Sequence, residues 1–342
     1  MKRLARYALI LFAAGLLGGI ATIWSLARLC QPPGETFVSI EHGSGTASIA
    51  RTLKDAGVIQ YEWQVYAVRV LNPSAKLQAG EYRFAGPSSA FAVFERIRRG
   101  DIYYFEFTVP EGSNRWDIAH IIESNSDLRR GVHGTISAAD FLKASADPSS
   151  IRDLAPSAPS LEGFLFPSTY RLTHSSTAAD LCRLMTTEFR HQWNRLGKRL
   201  SPSSDALKAV TLASLVEKET GVAEERGIVA GVFANRIEKG MRLDCDPTTI
   251  YAALLDHRYT GVIHKSDLLN QNPYNTYQNV GLPPGPIANP GSAALAAALN
   301  PAATDYLFFV AKAEGGGHVF SATRAAHEKA VAAYRHAKHK AG

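Results

Sequence analysis

Residues Tyr7 to Ala27 run YALILFAAGLLGGIATIWSLA, an apolar stretch whose one ionisable group is the Tyr7 phenol. About 20 such residues are what an α-helix needs to cross the hydrocarbon core of a bilayer, so the stretch predicts a membrane-spanning helix. Lys2, Arg3 and Arg6 precede it and Arg28 follows. Positive charge concentrated on the N-terminal side predicts a cytoplasmic N-terminus (residues 1–6), a single-pass anchor (residues 7–29) and everything later on the far side. A cleaved signal peptide shares the basic start and apolar middle. The stretch here is longer than a signal-peptide core and no A-x-A-like site follows it directly, which favours an uncleaved anchor. Cys30 raises a lipoprotein reading, but Arg28 and Leu29 stand where small residues would be needed.

The rest of the chain has globular composition. With 342 residues, 46% hydrophobic and 20% charged, it is long enough for two or three domains. The net charge of +6 comes from basic residues spread along the chain, clustered only at the N-terminus, at Arg96–Arg99 and in the last ten residues. That is too diffuse for a nucleic-acid footprint. Cys182 and Cys245 lie far apart without Cys or His neighbours at metal-ligand spacing, so no zinc site is expected. A disulfide and two buried thiols both remain open. The histidines show no regular spacing, and no H-E-x-x-H arrangement supports a metallopeptidase. No metal and no organic cofactor is implied.

After a Pro-Pro-Gly joint (Pro32 to Gly34) comes an internal near-repeat, FVSIEHGSGTASIARTL (Phe37 to Leu53) and FTVPEGSNRWDIAHII (Phe107 to Ile122). Gly43 matches Gly112, Ser44 matches Ser113, and Ile49-Ala50 matches Ile118-Ala119. Each copy predicts a short strand, a glycine turn and a helix. Between them a helix at Glu62 to Leu71, a strand at Gly80 to Phe84 and a helix at Ala90 to Arg99 are expected, making residues 35–125 a mixed α/β module. The pattern V-x-I-x-x-G-x-G-x-x-x-x-I-A-x-x-L resembles the LysM peptidoglycan-binding modules; a purely structural role for the repeat is the other reading. Residues 126–160 form a connecting region whose Ser/Pro/Ala-rich end, Asp147 to Ser160, predicts a linker or surface loop. Residues 161–342 predict an α+β domain with a helical centre: helices at Thr177 to Arg195, Asp205 to Glu219 and Glu224 to Lys239, the last ending at Gly240. Loops rich in Pro, Gly and Asn follow, then strands at Tyr306 to Ala311 and His318 to Ser321 and a terminal helix from Ala325.

In the helix DALKAVTLASLVEKET, Ala206, Val210 and Ala213 lie within about 40° of Glu217 while Lys208 lies opposite. The segment AVTLASLV is apolar nearly all round, as a buried helix is, so a carboxyl at its end is desolvated and its pKa rises towards the range where it can both give and take a proton. Glu219, two residues on, does not share that face, which disfavours a pair of cooperating carboxylates. The plainer reading is that Glu217 pairs with Arg226 or Arg236 and ties two helices together.

Six strings sharpen the choice: LEGFLFPSTY (Leu161 to Tyr170), ASLVEKET (Ala213 to Thr220), VFANRIEKGMRLDCDPTTIY (Val232 to Tyr251), NPYNTY (Asn272 to Tyr277), GLPPGPIANPG (Gly281 to Gly291) and YLFFVAKAEGGGHVFS (Tyr306 to Ser321). Together, and in this order, they resemble the endolytic murein transglycosylases of the MltG (YceG-like) family. The resemblance implies an inner-membrane anchor, a LysM-like module and an extracytoplasmic catalytic domain. It implies cleavage between MurNAc and GlcNAc of nascent peptidoglycan glycan strands, with 1,6-anhydroMurNAc ends, no cofactor, and peptidoglycan synthases as possible partners. The first glutamate of its E-K-E-T motif, here Glu217, is expected to be catalytic. Cys245 departs from the Ser or Thr that the family often has there. Asn235, Tyr274, Asn275, Thr276 and Tyr277 are amide, hydroxyl and aromatic groups of the kind that line sugar clefts, although YNTY also builds rigid turns. Glu162, Glu219 and Arg236 are supporting candidates, Glu162 as a second support to the site or as half of a buried ion pair. Asp246 is expected to cap a helix and His318 to be a hydrogen-bonded structural residue. A non-catalytic membrane-anchored scaffold that binds peptidoglycan for the synthases is the competing class.

Overall fold

The computed structural model describes residues 2–125, 128, 136–197 and 206–341. Asp205 and most of residues 126–135, both in segments interpreted above, lie outside them. The chain divides into two compact units, one of residues 1–105 and 171–175, the other of residues 106–170 and 176–342.

The first unit opens with α1 (Lys2–Ala27), whose stretch Leu9–Ala27 is long and apolar enough to cross a bilayer and is almost entirely bare. Beyond it, β1 (Thr36–Ile40) pairs antiparallel with β2 (Gly80–Phe84), Val38 opposite Tyr82. The alternation expected of a half-buried strand is present, with Val38 and Ile40 inside and Ser39 outside. Helices α2 (Thr46–Asp55), α3 (Trp63–Leu71) and α4 (Ala90–Arg99) supply the other side of the core, α4 through Ala90, Val93, Phe94 and Ile97. Ser89 caps α4 by accepting from the Ala92 N–H at 3.2 Å, and Gly100 closes it at φ +70°. Leu26, at the end of α1, is 1% exposed and belongs to this same core. The Pro-Pro-Gly joint is not a free hinge: Cys30 and Ser88 exchange backbone hydrogen bonds of 2.9 and 3.0 Å just before it. Residues 171–175 complete the unit. His174 Nδ1 lies 3.2 Å from Glu81 Oε2, and its ring is edge-on to Phe37 and stacked on Tyr103.

The second unit contains most of β3 (Phe105–Thr108) and half of β4 (Thr169–Leu172), which pair, and then a helical body. Its helices are α5 (Arg115–Ser124), α6 (Ala138–Ala146), α7 (Ala178–Gly197), α8 (Ala206–Glu219), α9 (Arg226–Glu238), α10 (Asp246–Leu255), α11 (Lys265–Leu268), α12 (Ser292–Leu299) and α13 (Arg324–Ala341). The hairpin β5 (Phe308–Ala311) and β6 (His318–Ser321) precedes α13. Helix α8 is the centre, buried along its length and packed by α9, α10 and α12.

Both copies of the near-repeat form the strand-turn-helix unit, β1-α2 and β3-α5. The boundary between compact units falls at residue 105 rather than 125, however, so nearly all of the second copy sits with the helical body. Asp147 to Ser160 is a surface loop, one of the two expected readings, with more than half of its residues exposed. It is not a free linker: Ile151, Ala155 and Ala158 are buried there, and the Leu161 N–H closes the segment onto Ser145 O at 2.9 Å. Asp246 stands at the first position inside α10, with Cys245 as the flanking residue, so it does not cap that helix.

Candidate active site

Ala206 to Val216 bury almost every side chain, which leaves the end of α8 as the place where its polar residues emerge. Glu217 and Glu219 leave it on different sides, as a spacing of two on a helix requires.

Glu217 enters a closed environment. Its side chain is 7% exposed, Oε2 accepts from the Gly291 N–H at 2.9 Å, and Oε1 lies 3.9 Å from Arg226 Nη2. Gly291 is the residue before α12, so the carboxyl sits at the positive end of that helix. On the other side Gly112, from the turn of the second repeat copy at φ +74°, approaches so closely that an added Cβ would lie 3.5 Å from Glu217 Cγ. Lys218 Nζ donates to the Gly112 carbonyl at 3.2 Å. Burial pushes the Glu217 carboxyl above its usual range; the Gly291 N–H opposes this, neighbouring Glu111 adds to it, and Arg226 and Lys218 oppose. The Glu111 carboxylate packs on Gly291 so tightly that a methyl group there would collide with it.

Glu219 opens into a cleft. About 650 Å³ of space is lined by Glu219, Arg236, Asp244, Asp246, Tyr277 and His327, with Phe308 and Phe309 of β5 along one wall. Glu217 is not among its lining residues. Burial raises the Glu219 carboxyl; a hydrogen bond with the Cys245 thiol lowers it, and nearby Asp246 raises it again. Asp246 Oδ1 accepts from the Tyr277 hydroxyl at 2.6 Å. Asp244 stands at φ +49°, one of two non-glycine residues with positive φ among the described residues, a conformation Asp tolerates better than most. Arg236 holds this rim through carbonyls, donating to Leu307 O at 2.6 Å and Leu243 O at 2.8 Å, with Asp244 Oδ2 at 3.6 Å. His327 stacks on Phe308, and its buried Nδ1 has no protein partner. Burial, with Arg236 near, lowers its pKa and keeps the ring neutral.

Glu162 is fully buried away from this cleft. Oε1 accepts from Asn289 Nδ2 at 2.9 Å, and Oε2 accepts from the Arg115 N–H at 3.0 Å and the Tyr251 hydroxyl at 3.1 Å. It is not half of an ion pair: the Arg115 guanidinium goes instead to Ser145 Oγ and the Leu142 carbonyl. Burial pushes the Glu162 carboxyl up to about 7 against these donors. The Asn289 carbonyl oxygen accepts from Gly163 and Leu165, so one amide ties the LEGFLFP string, the NPG string and the second repeat copy together.

Of the residues expected to line a sugar cleft, Tyr277 borders this cleft. Asn235 donates to the carbonyls of Thr304 and Tyr306, and Asn275 and Thr276 are buried with their polar atoms bonded inside the protein. Asn275 Nδ2 alone reaches three carbonyls, those of Asp267, Leu268 and Asn270. Tyr274 packs against Tyr251 with 5.0 Å between ring centroids. His318 Nδ1 pairs with Glu225 Oε2 at 2.7 Å, the structural role expected of it. Sequence reasoning missed His327, Asp244 and Glu111. His327 lies beyond every quoted string, and Glu111 lay unread in the turn of the second repeat copy.

The fold and this site define a helix-centred α+β unit in which one buried helix delivers two desolvated carboxyls to separate surroundings. The sequence profile of the YceG-like family matches residues 38–333, and the chain belongs to that family. The endolytic murein transglycosylase of Bacillus subtilis is 32% identical over 318 residues, 87% of this chain and 84% of the relative. That of Streptococcus pneumoniae D39 is 27% identical over 332 residues; the match takes in 88% of this chain but 58% of the longer relative. The crystal structure of a YceG-like protein from Listeria monocytogenes superposes with a TM-score of 0.56 at 29% identity, covering 86% of this chain and 98% of that one.

Proposed function

We propose that this protein is a membrane-anchored endolytic murein transglycosylase, a lyase that cuts peptidoglycan glycan strands between MurNAc and GlcNAc. The observation that carries the reading is the desolvated carboxyl that the E-K-E-T string sets at the end of α8, in a member of a family whose relatives bear that name. The carboxyl is Glu217, the first glutamate of that string. Glu219 lines the cleft, but it is the more deeply buried of the two and is tied to the Cys245 thiol, which makes it a supporting residue.

The reaction needs one group to act twice. Protonated Glu217 gives its proton to the glycosidic oxygen as the C1–O bond of MurNAc breaks with oxocarbenium character. The resulting carboxylate then takes the proton from the MurNAc C6 hydroxyl as that oxygen closes on C1. The 1,6-anhydro ring forms, the glutamic acid is restored and no water is consumed. The raised pKa of Glu217 suits the first step.

The anchor is α1, with the N-terminus in the cytoplasm and both units outside it. Large apolar side chains such as Leu9, Phe12 and Leu17 stand bare along α1, and lipid would cover them. Leu26 within the core of the first unit favours an uncleaved helix over a signal peptide. The first unit serves as a LysM-like glycan-holding module; a groove of about 190 Å³ between β1 and α2, lined by Ser39, Glu41, Ser44, Ser48 and Thr52, offers hydroxyls and a carboxylate.

Incubation of the full chain with purified, stem-peptide-bearing glycan tests the function. Fragments ending in 1,6-anhydroMurNAc, released from chain interiors and lighter by one water than hydrolysed ends, are expected in mass spectrometry. Reducing ends would make it a hydrolase, and intact strands would leave a binding scaffold.

A further inference from the structure

Helix α3 is apolar on two sides. Inward it buries Val65 and Val68. Outward, Trp63, Tyr66 and Val70, spaced i, i+3 and i+7, form one stripe, and they are 41%, 39% and 77% exposed. Tyr61, itself half exposed, stacks on Trp63 with 6.4 Å between ring centroids, and exposed Leu71 follows Val70. A helix on the surface of a soluble domain turns a polar face outward; α3 does not.

Hydrogen bonds fix where this stripe lies. Gln64 Nε2 donates to Ser25 O at 2.9 Å, in the last turn of α1, while its Oε1 accepts from the Gln60 and Tyr61 N–H groups at 3.1 and 3.0 Å. Leu26 packs in the same core as Val65 and Val68. The start of α3 is therefore held at the level where the apolar span ends and lipid headgroups begin. Trp24 is exposed in that same turn, with the Arg28 guanidinium 5.7 Å above its ring. Tryptophan and tyrosine concentrate at this depth because an amphipathic ring suits a boundary between hydrocarbon and water.

We infer that α3 is an interfacial helix: Tyr61, Trp63, Tyr66 and Val70 enter the headgroup region of the bilayer that α1 spans and hold the first unit against it. The inference rests on the anchor reading above. A sugar platform is the rival for exposed rings, but Val70 and Leu71 offer a pyranose no hydrogen bond, and the start of α3 is hydrogen-bonded to the last turn of α1.

The test uses the full chain in liposomes of phosphatidylethanolamine and phosphatidylglycerol, with and without lipid brominated on its acyl chains. The difference between wild type and W63F isolates the emission of Trp63; that between wild type and W24F isolates Trp24. Trp63 is expected to be quenched by brominated lipid and shielded from acrylamide. Val70→Trp, at the most exposed position of the stripe, should add emission that is quenched in the same way, which guards against W63F disturbing the fold. Quenching of Trp24 without quenching at either stripe position leaves the anchor standing and overturns the interfacial helix. Failure to quench Trp24 overturns the anchor and the inference together. Shielding of Trp63 only when soluble glycan fragments are added overturns the inference and gives the stripe to sugar.

Discussion

The two faces at the end of α8 carry the same side chain into opposite circumstances. Glu217 meets a backbone N–H, an arginine and the tight turn of Gly112, every one of them part of the protein. Glu219 meets a thiol, two aspartates and a volume large enough for sugar rings. Burial raises both carboxyls, so the shift in pKa does not separate them. Their partners do. Glu217 has one backbone N–H and a guanidinium at 3.9 Å, while Glu219 is bonded to the Cys245 thiol on the rim of the cleft.

Substitution at the two positions gives the largest contrast. Glu217→Gln keeps the volume and removes the proton, and should cost on the order of a hundred- to ten-thousand-fold in the release of anhydro ends. Glu219→Gln retains an oxygen for the Cys245 thiol and should keep activity within about tenfold in protein verified as folded. The reverse ranking would give the chemistry to Glu219.

Glu162 extends the contrast to a third buried carboxyl that sees no cleft. Glu162→Gln would set an amide NH2 against Asn289 or Arg115, both donors, and should destabilise the second unit by about 1–3 kcal/mol in urea titrations. The pH dependence has a defined sign. A folded-state pKa of about 7, raised from 4.5, contributes stability that is complete below about 4.5 and lost as pH rises through about 7. A contribution that instead stayed flat across that window would show Glu162 to be ionised throughout.

A smaller effect is expected at Cys245. A hydroxyl donates a better hydrogen bond to a carboxylate than a thiol does, so Cys245→Ser should favour ionised Glu219. With Glu217 as the acid, the pH at which activity falls off on the alkaline side should stay where it is. A downward shift would mean that Glu219 is the titrating acid.

Much of this architecture was legible in the sequence, because period and punctuation speak for local structure. Gly80–Phe84, Ala90–Arg99 and His318–Ser321 match the expected bounds, and the repeat was recognisable from Gly43 and Gly112. Helix α12 was missed, and α10 was foreseen only through the cap expected at Asp246: each is short and packs on α8. The E-K-E-T string shows two carboxyls facing apart. That Glu219 borders the cleft depends on β5, α13 and the Asp244 rim, brought there from 25 to more than 100 residues away. No spacing in the motif reports that. Asn275 and Thr276 show the same limit from the other side, since residue types suited to sugars are equally suited to binding three carbonyls in a loop.

Leu26 has a mechanical consequence. A protein joined to its membrane helix by a slack tether can swivel and sample a hemisphere of wall around its mooring. In this chain the end of α1 is itself part of the core, latched by Gln64 and followed at once by the Cys30–Ser88 bridge. With α1 as the proposed anchor, any tilt of the helix in the lipid would be a tilt of the first unit, and that unit's height above the bilayer would be a built-in dimension. Thickening or thinning the membrane would raise or lower it like a gauge.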